Sequence, residues 1–411
     1  MSNVIIYLMF IRSPTILQNY AKVMVDFALG RGKGIKKGEV VYLVYDLEAK
    51  PLALAIYQRI LDKGGHPIVK SADEDFEKVF FEKADEEQLK FTPKKYLKSL
   101  VDTIDHRLYL IAPTNPFLLK NIDPKKIVLA NSSRQILKKW LFEKEDKGKL
   151  TWSLCLYGTP GLAKEAGLSI EEFWGQIIKA CYLDQKDPIL IWKNTFQSIN
   201  QLKNKLNALP VEKIHLVSKD TDLYITLGEK RIWQGGRGAN IPSFEIFTSP
   251  DWRGTEGKIY FDYPLYRYGN LIKDIYLEFK NGKIIKAKAK KNEKLLQEMI
   301  FKQENADKIG EFSLTDKRFS RISKFMANTL YDENFGGRWG NSHIAIGSSY
   351  HDCYLGDKNK MKKKDWEELG FNDSVEHCDI INTIPKIVEA ILKNKTKILI
   401  YKDGIFNLDK Y

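Results

Sequence analysis

The sequence predicts an α/β fold in two parts. An N-terminal open α/β domain with a mostly parallel sheet is expected over residues 1–200. A C-terminal α+β domain rich in antiparallel strands is expected over residues 201–411. Before about residue 190, continuous apolar runs alternate with stretches of helical spacing. Strands apolar on both faces belong to a parallel sheet covered by helices on both sides. Beyond residue 210 the texture changes to turn-bounded strands. Asn281-Gly282, between the runs 275–279 and 284–287, is the strongest two-residue hairpin signal, a type I′ turn. The length of 411 residues also exceeds what one hydrophobic core usually serves.

Taken in order, the elements follow from local chemistry. The apolar run 5–11 lacks a cationic leader and a cleavage site. It is far shorter than the ~20 residues that span a bilayer, so a cytoplasmic protein is expected, with no membrane partner. Ser13-Pro14 places a capping residue before proline at the first helical position. Leu17, Tyr20, Ala21, Val23, Met24 and Phe27 then recur at helical spacing. Gly30-Arg31-Gly32-Lys33-Gly34 reads as a helix stop. A dinucleotide loop follows a strand and opens a helix, whereas this run follows a helix and precedes a strand. Strands are expected at 40–46, 66–69, 108–112 and 150–157, with helical stretches at 51–61, 84–104 and 170–183. A boundary near 190–210 is marked by Lys203, Lys205 and Pro210. The second part is read as strands at 214–217, 223–227, 259–263, 344–346 and 377–381. Helices are read at 292–303, 319–330 and 384–392, and a short hairpin from 397 closes the chain.

Composition narrows the function. The net charge is +13, but the lysines are spread along the chain and no Arg-rich run with interleaved aromatics occurs. A non-catalytic basic protein contacting nucleic acid is therefore the alternative and not the leading reading. Four cysteines without CxxC spacing suit a reducing compartment. There is no G-x-S-x-G elbow, no P-loop lysine after Gly235-Gly236-Arg237-Gly238, and no H-E-x-x-H helix. A dinuclear phosphoesterase would want clustered Asp and Asn motifs, which are missing.

Metal-type side chains are concentrated in the last third. In His377-Cys378-Asp379-Ile380-Ile381, the isoleucines indicate a strand. Residues two apart on a strand share a face, so His377 and Asp379 project together while Cys378 turns away. An imidazole beside a carboxylate suits a divalent metal. Glu245 stands inside the apolar run 243–250, where an unpaired carboxylate is expensive. Glu311 is flanked by Gly310 and Phe312. His66, His106 and His215 read as satisfied structural histidines. His351, which opens a Lys-rich loop, is a weaker metal candidate than His343 or His377.

These segments resemble one family. Asn240-Ile241-Pro242 followed by Glu245-Ile246-Phe247-Thr248-Ser249-Pro250 is similar to a segment of the thermophilic aminopeptidases of the aminopeptidase T and S type. So are Ile309-Gly310-Glu311-Phe312 and Asn328-Thr329-Leu330-Tyr331-Asp332-Glu333. The run from His343-Ile344-Ala345-Ile346-Gly347 to Tyr350, and His377-Cys378-Asp379, complete five motifs in order. Ser243-Phe244 before the glutamate, the longer approach Arg338 to Ser342, and Cys378 in place of an aromatic depart from the pattern.

The resemblance implies a metal-dependent aminopeptidase whose C-terminal domain is catalytic. It would hold two divalent ions (Zn, Co or Mg) on Glu245, Glu311, His343, His377 and Asp379. Such an enzyme would be a homodimer acting on short peptides. One bridging carboxylate allows five ligands to hold two cations about 3.5–4 Å apart. Glu311 is the expected bridge and proton shuttle, and Tyr350 the expected donor to the tetrahedral oxyanion.

Overall fold

The structure is a computed structural model that describes residues 14–409, apart from 116 and 269. The run 5–11 and Ser13 lie outside the described residues. In chain order the strands are β1 Val40–Asp46, β2 His66–Ala72, β3 His106–Ile111, β4 Thr151–Leu156, β5 Val211–Ser218, β6 Thr221–Thr226, β7 Asn240–Ile241, β8 Glu245–Thr248 and β9 Glu256–Phe261. They continue with β10 Leu265–Arg267, β11 Asn270–Lys280, β12 Lys283–Lys291, β13 Ile309–Thr315, β14 Asn341–Gly347, β15 His377–Asn382, β16 Lys386–Leu392, β17 Lys397–Lys402 and β18 Ile405–Phe406.

The chain forms two compact units. One runs to Lys193 and takes in Arg237–Pro242; the other comprises Asn194–Gly236 and the chain from Ser243 onward. In the first unit a five-stranded sheet has the order β2-β1-β3-β4-β7, parallel at every pairing. Its central strands carry buried Val41, Leu43, Leu108 and Leu110, the apolar runs that predict a covered parallel sheet. Helices follow the strands, among them Lys50–Asp62 and Ile170–Ala180. The second helix is held at its start by a capping box between Ser169 and Glu172.

The second unit holds a nine-stranded antiparallel sheet, β10-β11-β9-β6-β5-β16-β17-β18 with β12 against β11. It also holds a four-stranded antiparallel sheet, β15-β14-β13-β8. The Asn281-Gly282 hairpin joins β11 and β12, and both residues have positive φ, 52° and 76°, as a type I′ turn requires.

Two expectations are corrected. The stretch read as a helix at 384–392 is strand β16, bonded on both sides to β5 and β17. Lys386, Val388, Ala390 and Leu392 are buried while Ile387 is exposed, a period of two. The stretch 319–330 is mostly irregular, and only Thr329–Asp332 is helical. Side chains capture its backbone: Asp332 accepts from the amides of Met326 and Asn328, and Ser320 Oγ accepts from Ile322. Local side-chain bonds of this kind compete with the helix ladder. The helix Pro188–Ala208 runs through most of residues 190–210, and the two units divide within it, between Lys193 and Asn194. Helices at Glu74–Lys83, Pro124–Ser133 and Gln135–Asp146 add to those the sequence pattern indicates.

Some lysines form solvent-exposed pairs one helical turn apart, such as Lys90–Glu86, Lys98–Asp102 and Lys302–Glu298. Among the described residues no helix is long and apolar enough to cross a membrane.

Candidate metal centre

Register in the four-stranded sheet decides which side chains meet. Directly opposed residues of an antiparallel pair share a face, as do residues two apart on one strand. Glu245 opposes Thr315, and Ser313 opposes His343. Glu311 opposes Ala345, which opposes Asp379, and Gly347 opposes His377. Glu245, Glu311, His343, His377 and Asp379 therefore all project from one face. Ala345 stands between Glu311 and Asp379, and its methyl group leaves the space above the sheet to the two carboxylates. The reverse face carries Ile246, Phe312, Leu314, Ile344, Ile346 and Ile380, all buried, and Cys378 falls there opposite Ile346.

The five side chains converge as two overlapping groups. Ligand atoms of Glu245, Glu311 and His343 lie within 4.8 Å of one another, as do those of Glu311, His377 and Asp379. Glu311 belongs to both, and its oxygens divide. Oε1 lies 3.3 Å from His343 Nε2, and Oε2 lies 3.6 Å from His377 Nε2. Glu245 Oε2 is 3.3 Å from His343 Nε2. Asp379 Oδ1 is 3.8 Å from His343 Nε2 and 3.6 Å from His377 Nε2.

Burial shapes the electrostatics. It drives the carboxyl groups of Glu245 and Glu311 upward, and at Glu245 the charge of Glu311 adds to the rise. Burial would raise Asp379 too, but the adjacent His377 outweighs it and holds Asp379 low. Burial would lower His343, yet its hydrogen bond to Glu311 and the charges of Asp379 and Glu245 lift it to about 9. His377 reaches about 9 for the same reason, with Asp379 the main partner. A buried cluster of three carboxylates is stable only with compensating positive charge. Hard oxygens mixed with borderline imidazole nitrogens are a donor set for ions such as Zn²⁺.

Supporting groups that the sequence did not single out hold the donors. Ser313 Oγ donates to Glu245 Oε2 at 3.0 Å. His377 Nδ1 lies 2.8 Å from the carbonyl of Ser348. That carbonyl only accepts, so Nδ1 carries the hydrogen and Nε2 is left for the cluster. Gly347 (φ 97°) sits under Glu376, and a Cβ there would lie 2.2 Å from the Glu376 carbonyl oxygen. Only glycine lets β14 and β15 close at the His377 end.

Tyr350 packs its ring 4.7 Å from that of His377 and 5.9 Å from that of Phe247. Tyr350 is 39% exposed as a residue, yet desolvation of the phenol beside His377 and the charges of Glu311 and Asp379 push its titration upward. It is therefore a protonated donor at neutral pH. Three other histidines have partners elsewhere. His106 meets Thr151 and Glu39. His215 meets Asp222 and Glu389. His351 stacks on Trp366 at 3.9 Å.

The comparisons with known proteins agree with this chemistry. The chain is 27% identical to aminopeptidase AmpS of Bacillus subtilis, over 94% of this chain and 97% of that protein. It is 25% identical to aminopeptidase T of Thermus thermophilus, over 93% of this chain and 97% of that protein. The solved structure of wild-type AmpT from Thermus thermophilus matches it with a TM-score of 0.82 at 23% identity, over 96% of this chain and 99% of that one, a likeness of fold. Residues 14–406 match the family described as thermophilic metalloprotease (M29). The chain belongs to the thermophilic metalloprotease (M29) family.

Proposed function

We propose that this chain is an aminopeptidase that removes N-terminal residues from short peptides with the help of two divalent ions, zinc, cobalt or magnesium. The observation that carries the reading is the division of Glu311, one oxygen toward each histidine, in a carboxylate shared by both donor groups. That is the disposition a bridging ligand needs. Glu245 and His343 would complete one ion's set, His377 and Asp379 the other's. All five lie in the second compact unit, to which we assign catalysis. Bound divalent ions supply a Lewis acid for the scissile carbonyl and bring a water's pKa towards neutrality.

The protein groups do the rest. Glu311 anchors the pair and is assigned the movement of the water proton towards the leaving amine. The Tyr350 phenol donates to the oxyanion as the carbonyl becomes tetrahedral. The buried apolar reverse face fixes the sheet, so the donors need little reorganisation. The four cysteines are buried, and none is in CxxC spacing, which suits a cytoplasmic enzyme. The two overlapping groups of metal-type donors favour this reading over the nucleic-acid one.

The protein is expected to elute at twice the 47.6 kDa chain mass and to release p-nitroaniline from Leu- or Arg-p-nitroanilide. Chelator should abolish that activity, and Co²⁺, Zn²⁺ or Mg²⁺ should restore it. The metal concentration for half-restoration is expected to fall as pH rises from 6 to 9. Ions bind neutral imidazole, while His343 and His377 hold protons up to about 9 in the ion-free chain. Each protonated imidazole thus costs roughly tenfold in apparent affinity for every step of one in pH below that point. Activity indifferent to chelator, or restoration independent of pH, would sink the reading. So would salt-dependent nucleic-acid binding without peptide turnover.

Tyr350→Phe keeps the ring and removes only the donor. A loss of about 10²-fold in kcat with little change in KM is expected. Steady-state kinetics of the metal-loaded variant check it, and an unchanged kcat would remove Tyr350 from the mechanism.

A further inference from the structure

Asn372 sits just before β15 and is 4% exposed. Its Nδ2 donates to the carbonyls of Gly347 at 2.6 Å and Asn305 at 2.7 Å. Its backbone amide donates to Ser349 Oγ at 3.0 Å, and its carbonyl accepts from the Ser349 amide at 2.8 Å. Both side-chain hydrogens are used, and both partners only accept, so the orientation of the amide is determined. Asn372 therefore grips residues 347–349 from two directions.

The gripped segment carries two functional elements. The Ser348 carbonyl orients His377 through Nδ1. The next residue but one is Tyr350, whose ring rests on His377. The segment is secured elsewhere by Ser348 donating to the Glu376 carbonyl at 2.7 Å and by Tyr350 donating its amide to Ser249 Oγ at 2.8 Å. Gly347, at the end of β14, donates its own amide to the Lys308 carbonyl at 2.8 Å, and the Asn372 side chain adds the bond to its carbonyl.

We propose that Asn372 is a positioning residue for the catalytic centre: through residues 347–350 it sets the tautomer and ring orientation of His377 and the place of the Tyr350 phenol. This rests on the reading of Glu311, His377 and Asp379 as an ion's donor set. Removing the side-chain amide leaves the carbonyls of Gly347 and Asn305 without their donor and frees the turn. The His377 side of the centre loosens, while the Glu245–His343 side is untouched. Partners of metal-ligating histidines typically matter by about 10- to 100-fold in affinity or activity.

The test uses the full chain loaded with Co²⁺, as wild type, Asn372→Ala and Asn372→Asp. Three quantities are read: kcat and KM on Leu-p-nitroanilide, the Co²⁺ visible absorption during titration, and Tm. In the alanine variant kcat is expected to fall about 10- to 100-fold, with KM within about threefold. One of two Co²⁺ equivalents should bind weaker by a similar factor, with an altered absorption band. The aspartate variant has nearly the same shape but sets a carboxylate against two carbonyl oxygens, and should lose at least as much. Wild-type kcat and an unchanged Co²⁺ spectrum in the folded alanine variant, with only Tm lowered, would overturn the proposal. A wild type that binds Co²⁺ but turns over no peptide would instead overturn the aminopeptidase reading. The spectral comparison would then still decide the role of Asn372.

Discussion

Glu311→Gln is expected to reduce kcat roughly 10³-fold or more, about 4 kcal/mol of transition-state stabilisation. Glutamine keeps the shape of the side chain and its place opposite Ala345. It cannot serve two cations, because one of its terminal atoms becomes an amide that donates and does not accept. The expected change is therefore in ion content as well as rate: from two ions to at most one by elemental analysis. Folding should survive. Burial and the nearby Asp379 already push the Glu311 carboxyl upward, so a neutral side chain relieves an unfavourable charge in the ion-free chain. The Tm of ion-free protein should accordingly hold or rise. Full activity with two ions retained would show that Glu311 does not bridge.

Lys386→Met is expected to stabilise the fold, most strongly at low pH. Lys386 is 1% exposed, and its Nζ has no hydrogen-bond partner among the described residues. Burial lowers its pKa from 10.5 to about 7, and the charges of Asp262 and Asp403 only partly oppose this. The sign follows from proton counts. Between about 7 and 10.5 the unfolded chain holds a proton on this lysine that the folded chain lacks, so stability rises with pH across that window. Below about 7 the whole penalty is present, and near 10.5 it has disappeared.

Removing the amine should therefore gain about 3–5 kcal/mol at pH 6, because each tenfold loss of proton affinity on folding costs about 1.4 kcal/mol. The gain should shrink towards zero near pH 10.5. Methionine suits the site because it fills a similar volume without a polar atom that needs a partner. Thermal or denaturant unfolding at several pH values reads this directly. A gain that does not shrink with pH, or a loss at pH 6, would refute the assignment of a neutral buried amine.

Legibility differs sharply between elements. The parallel sheet is readable because strands such as β1 and β3 are apolar on both faces, and no amphipathic helix produces such a run. Asn281-Gly282 is readable because a two-residue turn with positive φ at both positions restricts the residue types. The Lys386–Leu392 strand reads as a helix because Ile387, Val388, Ile391 and Leu392 satisfy helical spacing as well as alternation. Its two hydrogen-bonded neighbours, β5 and β17, decide the matter. The irregular 319–330 stretch also reads as a helix, because Asp332 and Ser320, which capture its amides, look like ordinary helix-surface residues in sequence.

The sequence alone determined the chemical inventory and its local facing: which carboxylates and imidazoles are present, that His377 and Asp379 project together, and that Cys378 does not join them. These follow from side-chain identity and the two-residue period of a strand. Only the tertiary structure decided that Glu311 shares its oxygens between two histidines, that Ser348 and Asn372 hold the His377 end, and that a lysine lies buried in β16. Those facts depend on register between β8, β13, β14 and β15 and on contacts far apart in the chain. A strand's own residues carry no information about which partner, at which offset, will lie beside it.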